Sequence, residues 1–416
     1  MSYLSGIVLL LAGAAEAQDM ITLDQAVKEA MEKNLTLAAE KLSIRVAEAR
    51  QITAALRPNP VLTLDGDYLP VAGTGFSRMN GAGPMEVAAR TDFVLERGGK
   101  RRDRMAVAAA EKTVAELGVQ DVMRRVILDV QTAYVDIQQA RENLTLAESN
   151  LKSLNGIVEI NTVRVRNGDL APVELNRSQV AALQYETAVR QAELQLRQAK
   201  TRLKLLMGRT EAADFDVSHE IRRDTVSFNL AGLQQKALSL RPDLGLLEKT
   251  EARSQADLRL QIAQGKVDYT VGTMYHRQMS VTGRGNSLGL FFSAPLPVFN
   301  RNQGEITRAQ RDIEQAAARI RAMRASIGTE VAAAWQQYST SKQLLDDIES
   351  KLLGKAADVR ATTEYSYRRG EASFVEFLDA QRAFNESRQS YNEARANFAR
   401  SLYLIEAVSG TSMSGN

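Results

Sequence analysis

Residues 166–208 read RNGDLAPVELNRSQVAALQYETAVRQAELQLRQAKTRLKLLMG, and residues 368–410 read RRGEASFVEFLDAQRAFNESRQSYNEARANFARSLYLIEAVSG. The two superimpose without a gap: Gly168 falls on Gly370, Val173 on Val375, Glu174 on Glu376, Gln179 on Gln381, Ala192 on Ala394 and Gly208 on Gly410. Such self-similarity marks a tandem duplication. Each copy opens on a glycine turn and closes on another glycine, the residue that most readily takes positive φ at a helix end. Between them a 3,4 spacing runs through Leu175, Ser178, Ala182, Tyr185, Val189 and Ala192, and through Phe377, Ala380, Phe384, Ser387, Tyr391 and Ala394. A heptad held this long predicts coiled-coil packing, with each glycine turn joining two helices.

Upstream of each turn lies a longer helical pattern. Val119, Val126, Val130, Ala133, Ile137 and Leu154 mark one seam, and no proline occurs between Pro84 and Pro172. A helix from Lys100 to about Val165 would be roughly 100 Å long, at about 1.5 Å per residue. The second long helix begins near Glu305, carries Ile313, Ile320, Ile327, Val331, Leu345 and Leu352 on its seam, and reaches the Gly370 turn. Before each long helix the period changes to two. Strands are predicted near 61–69 and 85–96, and near 267–276 and 287–296, each with one apolar and one polar face. A further helix opens each half: Thr22 to Leu56, with Thr22 as N-cap, and its counterpart Asn229 to Ala263. The order is helix, two strands, long helix, turn, long helix, given twice: a first repeat over 18–208, a connecting segment over 209–228, a second repeat over 229–410 and a tail over 411–416.

Composition narrows the classes. The chain has 416 residues, a formal charge of +3 and no cysteine, so nothing points to nucleic acid, and disulfides, thiolate sites and a lipidated cysteine are excluded. The opening residues carry an apolar run from Ile7 to Ala12 and then Ala15-Glu16-Ala17, which predicts a signal peptide over 1–17, although no Lys or Arg precedes the run. Two histidines, His219 and His276, form no recognised ligand spacing, and Met323 sits on a helix seam as core. The glycines between Gly73 and Gly83 lie between strands, without the Lys-Ser/Thr or following helix of a phosphate loop. No catalytic grouping, resident metal or cofactor is predicted.

Four amphipathic strands of about ten residues have the length of tilted membrane strands, but four cannot close a barrel. Two readings remain: a water-soluble sheet with one buried face, or membrane strands closed by several copies of the chain, since hydrocarbon tolerates no open edge. The first belongs to a soluble coiled-coil scaffold, the second to a mixed α and β membrane protein.

The layout, the duplicated turn-to-helix segment and the endings Leu206-Met207-Gly208 and Val408-Ser409-Gly410 resemble the TolC family of outer-membrane efflux proteins. Leu95-Glu96-Arg97-Gly98-Gly99-Lys100-Arg101 and the run from Pro295 to Gly304 are similar to its heavy-metal branch, with CzcC and CusC. The resemblance implies a homotrimer in the Gram-negative outer membrane, embedded in lipid, with a twelve-stranded β-barrel continuing into a periplasmic α-helical barrel. It also implies a resistance-nodulation-division pump in the inner membrane and a periplasmic adaptor docking on the tips Asn167, Gly168, Asp169, Leu170 and Arg369, Gly370, Glu371, Ala372. Relatives carry acidic residues at positions matching Glu174, Glu376 and Asp379, which implies a periplasmic constriction there. For Glu174 the residues alone also allow a solvated pair with Arg177, whereas Glu376 and Asp379 are expected to lack such a neighbour. Heavy-metal cations are the expected cargo, with drug efflux or type I secretion open to the same fold.

Overall fold

The computed structural model describes residues 19–69, 85–210, 214–224, 226–280 and 283–411. The predicted signal peptide, the loop from Pro70 to Pro84 and nearly all of the tail lie outside these residues. The chain divides into two compact units, each drawn from both halves of the sequence. One takes residues up to Ala38 with Val122–Ser239 and Gly328–Asn416; the other takes Ala39–Asp121 and Leu240–Ile327.

The opening helix is not continuous. Helix α1 (Leu23–Lys33) starts on the Thr22 capping box, in which the Gln25 amide donates to the Thr22 hydroxyl and the Gln25 side chain accepts from the Thr22 amide at 2.8 Å. It ends at Asn34, whose backbone is extended (ψ 123°), and α2 (Leu35–Ala55) follows at once. The Asn34 side chain makes the break stable, because its oxygen accepts from the Leu37 amide at 2.9 Å while its nitrogen donates to the Leu206 carbonyl at 2.8 Å. In the second half, α5 (Leu230–Leu240) and α6 (Pro242–Gln264) are parted at Arg241, which takes the extended backbone that a following proline demands. Both breaks correct the single helices expected from periodicity.

Strands β2 (Val61–Asp67), β3 (Glu86–Leu95), β5 (Tyr269–Ser280) and β6 (Gly283–Ser293) form one antiparallel sheet in the order β2-β3-β5-β6. Register pairs Leu64 with Ala89, Phe93 with Val271, and Tyr275 with Leu288, so one face carries an apolar set. That face is bare in the single chain: Leu64 is 72% exposed, Leu288 84% and Leu290 93%. The opposite face holds Glu86, Arg90, Asp92 and His276, with Arg90 and Asp92 paired at 2.7 Å and His276 within 3.0 Å of Glu86. Among the described residues nothing covers that apolar face, whereas a water-soluble sheet would bury it under protein.

A second, two-stranded sheet carries no periodic signal in the sequence. Residues of β1 (Asp19–Ile21) lie parallel to β4 (Phe215–Val217), inside the connecting segment. They cover a core of Ala26, Ala30, Val130, Leu203 and Met207. Tyr134 secures the junction, donating to the Ile21 carbonyl and accepting from the Ser218 amide, each at 2.9 Å.

Helices α3 (Lys100–Asn167) and α4 (Pro172–Met207) form the first hairpin. The second consists of α7 (Gln303–Asp347), a π-turn (Ile348–Leu352), α8 (Leu353–Arg369) and α9 (Phe374–Ser409). The π-turn corrects the expected seam. Tyr338, Ser341, Leu345 and Ile348 are buried as the 3,4 spacing requires, but Leu352 is 42% exposed and the seam resumes one residue late, on Leu353, Arg360 and Tyr367. A π-turn accommodates one extra residue. Deleting Ser350 should therefore convert it to α-helix and leave Arg360 and Tyr367 in place, with the thermal midpoint moving by no more than about 4 °C. Inserting one alanine after Ser350 should rotate both off the seam by about 100° and cost about 3 kcal/mol. Circular dichroism melts compare the two.

Candidate functional site

The two tips close in the same way. At the end of α3 the Gly168 amide donates to the Val165 carbonyl (3.1 Å) and the Asp169 amide to that of Arg164 (2.8 Å). At the end of α8 the Gly370 amide donates to the Tyr367 carbonyl (3.0 Å) and the Glu371 amide to that of Ser366 (2.9 Å). These are paired Schellman closures, and both glycines carry the required positive φ, 85° and 82°. Asn167, Gly168, Asp169, Arg369, Gly370 and Glu371 are exposed, while Leu170 and Ala372 are half-buried.

The return helices start differently. Pro172 opens α4 without a side-chain cap, its fixed φ suiting the first helical turn. Ser373 opens α9 with a full capping box: the Glu376 amide donates to the Ser373 hydroxyl at 3.2 Å, and the Ser373 amide donates to the Glu376 carboxylate at 2.7 Å.

One core joins the two hairpins just behind the tips. Leu154, Ile157 and Ala181 from the first meet Tyr367, Phe374 and Phe377 from the second. Tyr367 stacks on Phe377 at 5.6 Å and donates its hydroxyl to the Asn161 side chain at 2.7 Å. Burial raises its phenol pKa above the usual value. Arg164 reaches across and donates to the Arg368 carbonyl at 2.6 Å, meeting an acceptor that the helix end leaves free. Farther along, Gln381 donates to Asn150 at 3.0 Å and accepts from Arg360 at 2.8 Å, and Asn385 donates to the Tyr185 hydroxyl at 3.0 Å. The pattern of apolar residues did not foretell this polar seam, although Gln179 and Gln381 are repeat mates.

All three predicted constriction carboxylates lie in the first turns after the tips. Glu174 pairs with Arg177 at 2.8 Å, the arrangement that its spacing allows. Asp379, expected to stand alone, has Arg382 at 3.8 Å, also three residues on. Glu376, expected to be free of neighbours, is held by Ser373. Hydrogen bonds from the Ser373 amide and then its hydroxyl keep the Glu376 carboxyl below the usual carboxylate range. Among the described residues it has no cationic partner, so its charge is the least offset of the three. Among those residues there is also no grouping of three His, Asp or Glu able to hold a metal ion.

An exposed apolar sheet face, two open strand edges and paired long hairpins define one class, an outer-membrane channel assembled from several copies. The chain belongs to the Outer membrane efflux protein family, which it matches over residues 26–209 and 233–411. It is 24% identical over 95% of its length, and 91% of the relative's, to the cobalt-zinc-cadmium resistance protein CzcC of Cupriavidus metallidurans. It is 22% identical over 93% of its length, and 86% of the relative's, to the pyoverdine export outer membrane protein OpmQ of Pseudomonas putida. A solved structure of CusC superimposes with a TM-score of 0.74 at 16% identity, covering 93% of this chain and 92% of that one. The protein is thus a channel of the TolC type and not an enzyme. Each chain supplies four strands to a trimeric, twelve-stranded outer-membrane barrel and two hairpins to a periplasmic α-helical barrel.

Ser373→Ala removes the hydroxyl cap and should destabilise the start of α9 by about 1 kcal/mol at pH 7. Because the folded pKa of Glu376 is depressed, its contribution is complete above the unfolded value of about 4.3 and is lost as pH falls through the lower folded value. The melting difference between wild type and variant should accordingly narrow below pH 4.

Proposed function

We propose that the protein is the outer-membrane duct of a tripartite efflux system that carries heavy-metal cations from an inner-membrane resistance-nodulation-division pump out of the cell. The observation that carries this reading is similarity along 95% of the chain to a protein named for cobalt, zinc and cadmium resistance. Deleting the gene should sensitise cells to those three cations, with resistance restored by the intact gene. Sensitisation to hydrophobic drugs alone would favour a second reading, a duct for small organic molecules, which the similarity to a pyoverdine exporter supports.

A periplasmic adaptor would dock on the tips, Asn167 to Leu170 and Arg369 to Ala372. The exposure of Asn167, Gly168, Asp169, Arg369, Gly370 and Glu371 supports this, as does the matching hydrogen-bonded closure of the two turns. Leu170→Trp combined with Glu371→Arg should abolish resistance while trimer and outer-membrane level stay unchanged. Full resistance in that variant contradicts docking at the tips.

Glu174, Glu376 and Asp379 would ring the periplasmic entrance and favour cations, as rings of carboxylates do. Glu376 should contribute most, since Arg177 and Arg382 partly offset the other two. In single-channel recordings Glu376→Gln should lower cation selectivity more than Asp379→Asn does, and the double variant should also weaken block by multivalent cations. Unchanged selectivity and block would put these carboxylates outside the lumen.

A further inference from the structure

The apolar face of the four-stranded sheet is not uniform. Along its two central strands and β6 runs a groove of about 440 Å³ lined by Phe93, Val271, Thr273, Leu290 and Phe292. At the end where β3 stops and β5 starts, the foot of the sheet, Tyr269 lies 5.4 Å, ring centre to ring centre, from Phe292 of the groove. The Arg97 guanidinium sits 4.4 Å above the Tyr269 ring and donates to its hydroxyl. Lys266 packs over Gly98, one residue from Arg97, and both cationic side chains are exposed.

The local charges are unequal. Asp268 accepts from the Arg97 amide at 2.8 Å and from the Lys100 ammonium at 2.7 Å, and Glu96, next to Arg97, is paired with Arg104, so both of these charges are already committed. Neither the Arg97 guanidinium nor Lys266 pairs with a carboxylate among the described residues. Two cations without a carboxylate partner among the described residues therefore stand near the end of β3, with the Tyr269 ring lying between Arg97 and Phe292 of the groove. Interfacial tyrosine and arginine take this placing where membrane meets water.

Position along the sheet decides what can occupy the groove. β2 and β6 are the edges, which neighbouring copies must pair, whereas Arg97 and Tyr269 terminate the central strands β3 and β5. Closing the barrel through its edges leaves this foot facing lipid. At this foot β3 leads into α3 and α6 leads into β5, so with the helical part in the periplasm the foot meets the leaflet nearer the periplasm.

From these observations we infer that Arg97 and Lys266 bind the phosphate of an anionic glycerophospholipid of the inner leaflet, with one acyl chain lying in the groove between Phe93 and Phe292. This rests on the strands spanning the outer membrane. A net negative headgroup is selected because no free carboxylate is at hand to pair with the ammonium of a zwitterionic one. Each chain carries one such site, three per trimer.

Native mass spectrometry of the detergent-solubilised trimer, titrated with phosphatidylglycerol or phosphatidylethanolamine, tests the site. Wild type should retain up to three phosphatidylglycerol molecules and bind them at least several-fold more tightly than phosphatidylethanolamine. Arg97→Gln with Lys266→Gln should weaken phosphatidylglycerol binding by on the order of tenfold and remove the preference. Lys266→Gln alone, a change at an exposed side chain, should give an intermediate loss with the trimer intact. Equal binding of the two lipids by wild type, unaltered binding by Lys266→Gln and the double variant, or displacement of the lipid by millimolar inorganic phosphate would each overturn the assignment. So would lipid-free trimers pairing through this face into hexamers that added lipid does not dissociate. If the protein were instead found in a soluble fraction, the membrane reading itself would fail, a result distinct from loss of lipid preference in an intact membrane trimer.

Discussion

An unpaired backbone N–H or C=O in hydrocarbon costs several kcal/mol, and the sheet of this protein has two edges lined with such groups. Most of the structure follows from that constraint. Four strands twist too little to meet each other, so each edge can be satisfied only by the opposite edge of a neighbouring copy, β2 against β6. The sheet turns Leu64, Leu288 and Leu290 outward because the surrounding solvent is lipid, and collects Glu86, Arg90, Asp92 and His276 on the other face, where water can reach them.

The hairpins obey a different rule. In the periplasm, water satisfies the outer faces of the helices, and stability must come from seams. The seams here are not uniformly apolar: small residues such as Ser178, Ala394 and Ser401 let backbones approach, while Asn150, Gln381, Asn385 and Tyr185 make hydrogen bonds that only one register of the two hairpins can form. The π-turn belongs to this logic. It absorbs one residue in the second hairpin, so that Arg360 and Tyr367 arrive on the seam and can meet Gln381 and Asn161.

Much of this is legible in the sequence because the two signals are strong. A gapless repeat from Gly168 to Gly208 and from Gly370 to Gly410 gives the tips, and alternation gives four strands within a few residues of their observed limits. What periodicity cannot carry is a local event that leaves the pattern intact. Asn34 ends a helix because its side chain finds the Leu206 carbonyl, a partner far along the chain, and the slip at Ile348–Leu352 moves a heptad by one residue without breaking it. β1 and β4, three residues each, are too short to show a period. Other signals were present: Pro242 announces the break at Arg241, Arg382 stands at the pairing distance from Asp379, and Ser373 with Glu376 spells a capping box.

The central claim, that this chain is one third of a closed outer-membrane channel, is tested most directly at its open edges. The chain has no cysteine, so single cysteines placed in β2 and in β6, one on each edge, are the sole thiols available. Oxidising a panel of such pairs in isolated outer membranes should yield, for the pairs in register, a covalent trimer that runs at three times the monomer mass under denaturing conditions. Monomers throughout the panel, or cross-links formed only within one chain, would contradict closure through these strands.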